Sequence, residues 1–197
     1  PAYWRYIDHL YQLSQPLDEG LALLDVGCGL HSFARLLLLN LSYRLRAQTW
    51  HHGRSIRYVG TDFSVPTLRA AQAAMKEAVN QMDSLFSGRI SAPTPAAQSW
   101  VLGRSMEALP FADRSFDRIV ANLSLSFAPS PLHTLRELFR VLRPRGKLIV
   151  SAFTPTANMA LLYRPHLQER GIDEFTGKAR LPLNHMAQVC QALRVGR

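Results

Sequence analysis

Two glycines one residue apart, Gly27 and Gly29, follow the apolar run Leu21 to Val26. Glycines at the end of a buried strand let the backbone pass close to a ligand, and a helix start just beyond offers unpaired N–H groups. A second apolar run, Ile56 to Thr61, closes on Asp62. A carboxylate at a strand end can accept two hydrogen bonds from the hydroxyls of a ribose. Phe63, next in the chain, offers a ring face to a purine. Each residue also has a plainer reading: the glycines as a structural turn, Asp62 as a helix cap, Phe63 as core packing.

Other reactive side chains form no recognisable set. His31 lies close to the glycine pair, His133 in the first turn of a helix, and His166 and His185 in the C-terminal stretch. None has a spacing that identifies a general base. The cysteines and histidines make no metal-ligand pattern, so no metal is expected. Cys28 and Cys190 are too far apart in sequence to suggest a disulfide framework, which fits a reducing cytoplasm.

The elements that must position these residues alternate between strand and helix. Residues 2–14 carry Tyr3, Tyr6, Ile7, Leu10 and Tyr11 at helical spacing, and Gln15 to Gly20 reads as a loop. Leu21 to Val26 is the first strand. Ser32 starts a helix through Leu36, Leu37 and Leu39, and Thr49 to Ser55 is a loop. Ile56 to Thr61 is the second strand. Ser64 caps the next helix, with Pro66 in its first turn and Leu68, Ala71, Met75 and Val79 on one face.

After a loop over 84–98, Ser99 to Gly103 and Asp117 to Asn122 are the third and fourth strands. Ser130 and Pro131 open a helix with Leu132, Leu135, Leu138, Phe139 and Leu142 at helical intervals. The turn Pro144-Arg145-Gly146 leads into a fifth strand, Lys147 to Phe153. Such alternation predicts an α/β fold with a doubly wound, mainly parallel sheet and helices on both faces. Ligands of such sheets lie beyond the carboxyl ends of the strands, where strand order reverses.

A chain of 197 residues suits one such domain. The expected division is an N-terminal helical lid over 1–20, a ligand-binding core over 21–153 and a helical tail over 154–197, with a helix from Leu183 to Leu193. No apolar run is long enough to span a membrane, and the first residues do not resemble a signal peptide. The formal net charge is +9, and no acidic residue stands between Asp25 and Asp62, where Arg35, Arg44, Arg46, Arg54 and Arg57 occur. Basic surface of this kind attracts nucleic acid, anionic membrane or an acidic carrier protein, but is also an ordinary solvated helix face.

Four segments together resemble the class I S-adenosylmethionine-dependent methyltransferases, in the branch with the ubiquinone/menaquinone-type and BioC-like enzymes. They are LLDVGCG, YVGTDFS, MEALPFADRSFDRIVAN and LRELFRVLRPRGKLIVSAF, in that family's order over residues 21–153. The resemblance implies a Rossmann-like sheet and S-adenosylmethionine as cofactor. It implies that Gly27 and Gly29 hold the methionine end, that Asp25 braces their loop, and that Cys28 packs within it. By the same resemblance Asp62 binds the ribose hydroxyls and Phe63 lies against the adenine. Ser105, Met106 and Glu107 would line the adenine edge, and Asn122 and Leu123 would sit under the sulfonium and the amino group.

The chain departs from that family's pattern at several points. His31 replaces the last glycine of the loop, Ser105 replaces a common acidic residue, and the turn after the last core helix is Pro-Arg-Gly. The family's C-terminal antiparallel hairpin is not placed in this sequence, and the expectation is either that the native chain is longer or that a partner chain covers the sheet edge. Methyl transfer needs positioning more than acid–base chemistry, and carboxylate or enolate acceptors need little help. The fourth strand ends Ala121-Asn122-Leu123-Ser124, without the Asn/Asp-Pro-Pro-aromatic text of many nucleobase amine methyltransferases, so a nucleic-acid acceptor is disfavoured.

The expected activity is methyl transfer to oxygen or carbon of a small or carrier-bound organic acceptor. The rival is a non-catalytic relative that keeps the fold as a binding or scaffolding module. A nicotinamide-dependent oxidoreductase fits less well, because Ser32 replaces the third glycine of that fingerprint and Asp62 lies further on than its usual spacing of about 20 residues.

Overall fold

The computed structural model describes residues 2–17, 20–29, 33, 34, 37, 56–85, 98–102 and 105–152. They form α1 (Ala2–Ser14), β1 (Ala22–Val26), β2 (Arg57–Asp62), α2 (Val65–Leu85) and β3 (Gln98–Leu102). β4 (Phe116–Asn122), a 3-10 turn (Ser124–Phe127), α3 (Pro131–Val141) and β5 (Leu142–Ser151) follow. The five strands make one parallel sheet in the order β3-β2-β1-β4-β5. The chain therefore builds outward from β1 on one side, then returns to add β4 and β5 on the other. That reversal puts a crevice between the carboxyl ends of β1 and β4.

Alternation along each strand assigns the two faces of the sheet. Leu23, Tyr58, Val120 and Ile149 face one way, packed against Ile7, Leu10 and Tyr11 of α1 and Met75 of α2. Leu24, Val59, Ile119 and Ala121 face the other way, against Leu135, Leu138 and Val141 of α3. Helices thus cover both faces, as the alternation of elements predicts. Phe33, Ala34 and Leu37, from the stretch expected to be helical after β1, are buried on the α1 side.

The elements differ from expectation in detail. α3 is capped as predicted, with Ser130 Oγ accepting from the His133 N–H, and His133 is exposed. Its outer positions Leu132 and Phe139 remain largely exposed, because contact with the sheet is narrower than the apolar stripe. The expected turn at Pro144–Gly146 is a bulge within β5: Phe116 pairs with Leu142, and regular pairing resumes at Arg118 and Lys147. Arg145 takes φ +63° there, and a β-carbon on Gly146 would lie 2.7 Å from Leu142 Cδ1. His31, His166, His185, Cys190 and the expected helix from Leu183 to Leu193 lie outside the described residues. No helix among the described residues is long and apolar enough to cross a membrane.

One buried cation ties α1 to the sheet. Arg118 of β4 is buried, and its Nε donates to Ser14 O at 3.0 Å. Its Nη2 donates to Pro16 O at 2.9 Å and its Nη1 to Asp117 O at 2.9 Å. A guanidinium fork reaches several carbonyls at once, which neither Met nor Lys reproduces. Arg118→Met is expected to leave those carbonyls unsatisfied and to lower unfolding stability by about 2–4 kcal/mol. Urea unfolding measures it, and an unchanged midpoint would contradict this anchoring role.

Candidate functional site

The turn after β1 bends through Gly27 at φ +67° and Gly29 at φ +54°, values that favour glycine. A β-carbon on Gly27 would lie 2.4 Å from Ser124 Cβ, whereas one on Gly29 would meet open space. The turn is fastened to the end of β2. Cys28 N donates to Thr61 O at 2.9 Å, and Gly29 N donates to Asp62 Oδ2 at 3.1 Å. The other oxygen, Asp62 Oδ1, accepts from Ser64 N at 2.9 Å. Ser64 Oγ in turn accepts from Thr67 N, so it caps α2 as its sequence position predicts.

These ends border a cavity of about 620 Å³. Gly27, Gly29, Asp62 and Phe63 form one side, Ser105 and Met106 another, and Asn122 and Leu123 the end of β4. Phe63 is 76% exposed. The structure therefore brings eight of the eleven singled-out residues to one cavity.

The other three stand behind it. Asp25 is buried on the α1 face, where Tyr58 Oη donates to its Oδ2 at 2.8 Å. Burial pushes its carboxyl up to about 7, the Tyr58 hydrogen bond opposes that, and the charge of Asp62 adds to it. Cys28 is buried, and desolvation with Asp25 and Asp62 nearby pushes its thiol upward, away from a nucleophilic thiolate. Glu107 turns to Ser130, whose N–H donates to its Oε1 at 2.6 Å. That contact ties the 105–109 wall to the start of α3.

Further lining residues carry no sequence signal of their own. Thr61, Leu109, Ser124, Phe127 and Pro129 also border the cavity. Leu123 adopts φ +57° and starts the 3-10 turn that presents Ser124 and Phe127. Such a turn has no hydrophobic period to read, though its place beyond the end of β4 marks it as part of the crevice. Phe127 is 62% exposed, whereas Ser124 is 6% exposed, and its Oγ has no partner among the described residues. Glu137 steadies the apolar wall: its Oε1 accepts from Leu109 N at 2.7 Å, and Arg140 pairs with it and lowers its pKa.

The raised pKa of Asp25 has a signed consequence. Between about pH 4 and 7 the folded chain holds a proton that the unfolded chain has released, so this group's contribution to stability falls as pH rises. Asp25→Asn removes that dependence and keeps an oxygen for Tyr58. The stability of the wild type relative to Asp25→Asn is expected to decline from pH 5 to pH 7.5 in urea unfolding. A flat or rising difference would contradict the burial argument.

Known proteins supply the remaining context. A family model described as a methyltransferase domain matches residues 24–150. The chain is 28% identical over 174 residues to the biotin biosynthesis bifunctional protein BioHC of Teredinibacter turnerae, covering 87% of this chain and 26% of that protein. It is 44% identical over 62 residues to the ubiquinone/menaquinone biosynthesis C-methyltransferase UbiE of Roseobacter denitrificans, covering 32% of this chain and 24% of that protein. The chain thus spans about a quarter of the length of each of these relatives. Among solved structures, the [4+2]-cyclase SpnF superposes with a TM-score of 0.57 at 23% identity, covering 79% of this chain and 47% of that one. With the glycine turn, the strand-end acid and most of the sheet inside the matched segment, the chain belongs to the methyltransferase-domain family, of the class I S-adenosylmethionine-dependent type.

Proposed function

We propose that this chain transfers a methyl group from S-adenosylmethionine to oxygen or carbon of a small or carrier-bound organic acceptor in the cytoplasm. The observation that carries the reading is Asp62 at the cavity edge. Each carboxylate oxygen gives one lone pair to a backbone N–H and keeps another for a hydroxyl donor. Apolar Phe63, Met106 and Leu109 beside it suit a purine, and the unpartnered Ser124 Oγ suits a polar end near Gly27. The residues present therefore fit the cofactor, whose sulfonium supplies an electrophilic methyl when bound.

The chain's own task is to orient the acceptor and exclude water. Among the described residues lining the cavity, Asp62 is the sole titratable side chain. An amine or alcohol acceptor would need a base to take its proton, whereas a carboxylate or enolate presents its electron pair already. That favours an acidic organic acceptor over a nucleobase amine. A second reading, a non-catalytic binding module, draws on the 105–107 turn. Ser105 Oγ accepts from Glu107 N, and Glu107 faces Ser130, so neither offers a free carboxylate to the cavity.

Calorimetry with S-adenosylmethionine and S-adenosylhomocysteine tests the proposal. Folded wild type is expected to bind both, and Asp62→Asn, which keeps one acceptor oxygen, to bind about 10- to 100-fold more weakly. Absence of binding by folded wild type, or equal affinity in the variant, would overturn the cofactor site. Binding without methylation of any acidic acceptor would favour the binding module.

A further inference from the structure

α1 is fastened to β4 at two points whose spacings match. Ser14 O meets Arg118 near the start of β4, and Tyr6 Oη meets Asn122 Oδ1 at its end. Eight helical residues rise about 12 Å and four strand residues about 13 Å, so both contacts form without bending either element. Arg118, Val120 and Asn122 alternate onto the face that α1 covers, which is why a helix at the chain's start reaches the cavity wall.

At the cavity end the contact is a three-membered polar clasp. Tyr6 Oη lies 2.5 Å from both Asn122 Oδ1 and Ser151 Oγ. Ser151 Oγ accepts from Leu123 N at 2.9 Å and donates to Asn122 Oδ1 at 2.9 Å. Tyr6 Oη stands within donating distance of both oxygens, and the Ser151 hydroxyl donates to Asn122 Oδ1, so the two hydroxyls together hold the Asn122 carbonyl oxygen. A carboxamide is planar, so fixing Oδ1 also fixes the direction of its NH2. Asn122 lines the cavity, and no described residue accepts a hydrogen bond from its Nδ2. Neither Tyr6 nor Ser151 borders the cavity itself.

We infer that Tyr6 is a positioning residue: with Ser151 it locks the Asn122 carboxamide so that its NH2 faces the cavity as a hydrogen-bond donor to an oxygen of the bound ligand. Docking of α1 is thereby coupled to the donor pattern of the site. Without the tyrosine hydroxyl the carboxamide turns more freely, and part of its donor geometry is lost before any ligand arrives.

The test has two arms, and only the affinity arm rests on the proposed cofactor. In 15N-labelled protein, the Asn122 side-chain NH2 signals are assigned by their loss in Asn122→Ala. They are expected to shift in Tyr6→Phe and in Ser151→Ala, both of which keep the surrounding packing. Signals unmoved in both variants would overturn the clasp. In the second arm, Tyr6→Phe is expected to weaken S-adenosylhomocysteine binding about three- to tenfold in the wild type and to have no further effect in an Asn122→Ala background. A penalty of the same size in both backgrounds would show that Tyr6 acts by general packing and would overturn the inference. Failure of wild type to bind S-adenosylhomocysteine would count against the cofactor reading, and the NMR arm would then decide the clasp alone.

Discussion

The turn after β1 and the turn after β4 touch with no room for a β-carbon between Gly27 and Ser124. This close approach sits at the reversal of strand order, where the sheet itself opens a crevice. Because the glycine turn cannot move toward β4, its remaining N–H groups are disposed toward β2. There the end of β2 takes up those from Cys28 and Gly29. Asp62 therefore has two roles in one carboxylate, holding the turn and starting α2, before any ligand is considered. The cavity is a consequence of these backbone constraints.

Behind the cavity, charge is used sparingly. Asp25 and Tyr58 satisfy each other under the sheet, and Glu137 and Arg140 hold the 109–113 segment from outside. Glu107 is spent on the start of α3. Among the described residues, the cavity is lined by one carboxylate, one carboxamide, Thr61, two serines and an apolar wall. That inventory can bind, orient and exclude water, and it offers little for moving protons. It is consistent with a reaction whose leaving group departs without protonation.

Much of this was readable from residue order, for identifiable reasons. Gly27, Gly29 and Asp62 declare themselves because a tight turn and a strand-end acid each demand particular residue types. Ser64 and Ser130 declare helix starts for the same reason. Short apolar runs bounded by turn residues placed the strands, although the bulge at Pro144–Gly146 depends on packing against Leu142 and Asp117 that no local pattern encodes. The 3-10 turn at Ser124–Phe127 was illegible because four residues carry no period. The reach of Tyr6 to Asn122 was illegible because it joins residues 116 positions apart, and only the match of helix and strand rise brings them together. The aromatic spacing of α1 marked a buried face without saying which ring would lie at the site.

The central claim is that the crevice between β1, β2 and β4 receives the cofactor. A crystal structure of the chain with S-adenosylhomocysteine tests it most directly. The account predicts ribose hydroxyls within hydrogen-bond distance of Asp62, the purine between Phe63 and Met106, and the amino-acid end beside Gly27 and Asn122. A ligand bound elsewhere, with Asp62 contacting only the backbone of Gly29 and Ser64, would contradict it.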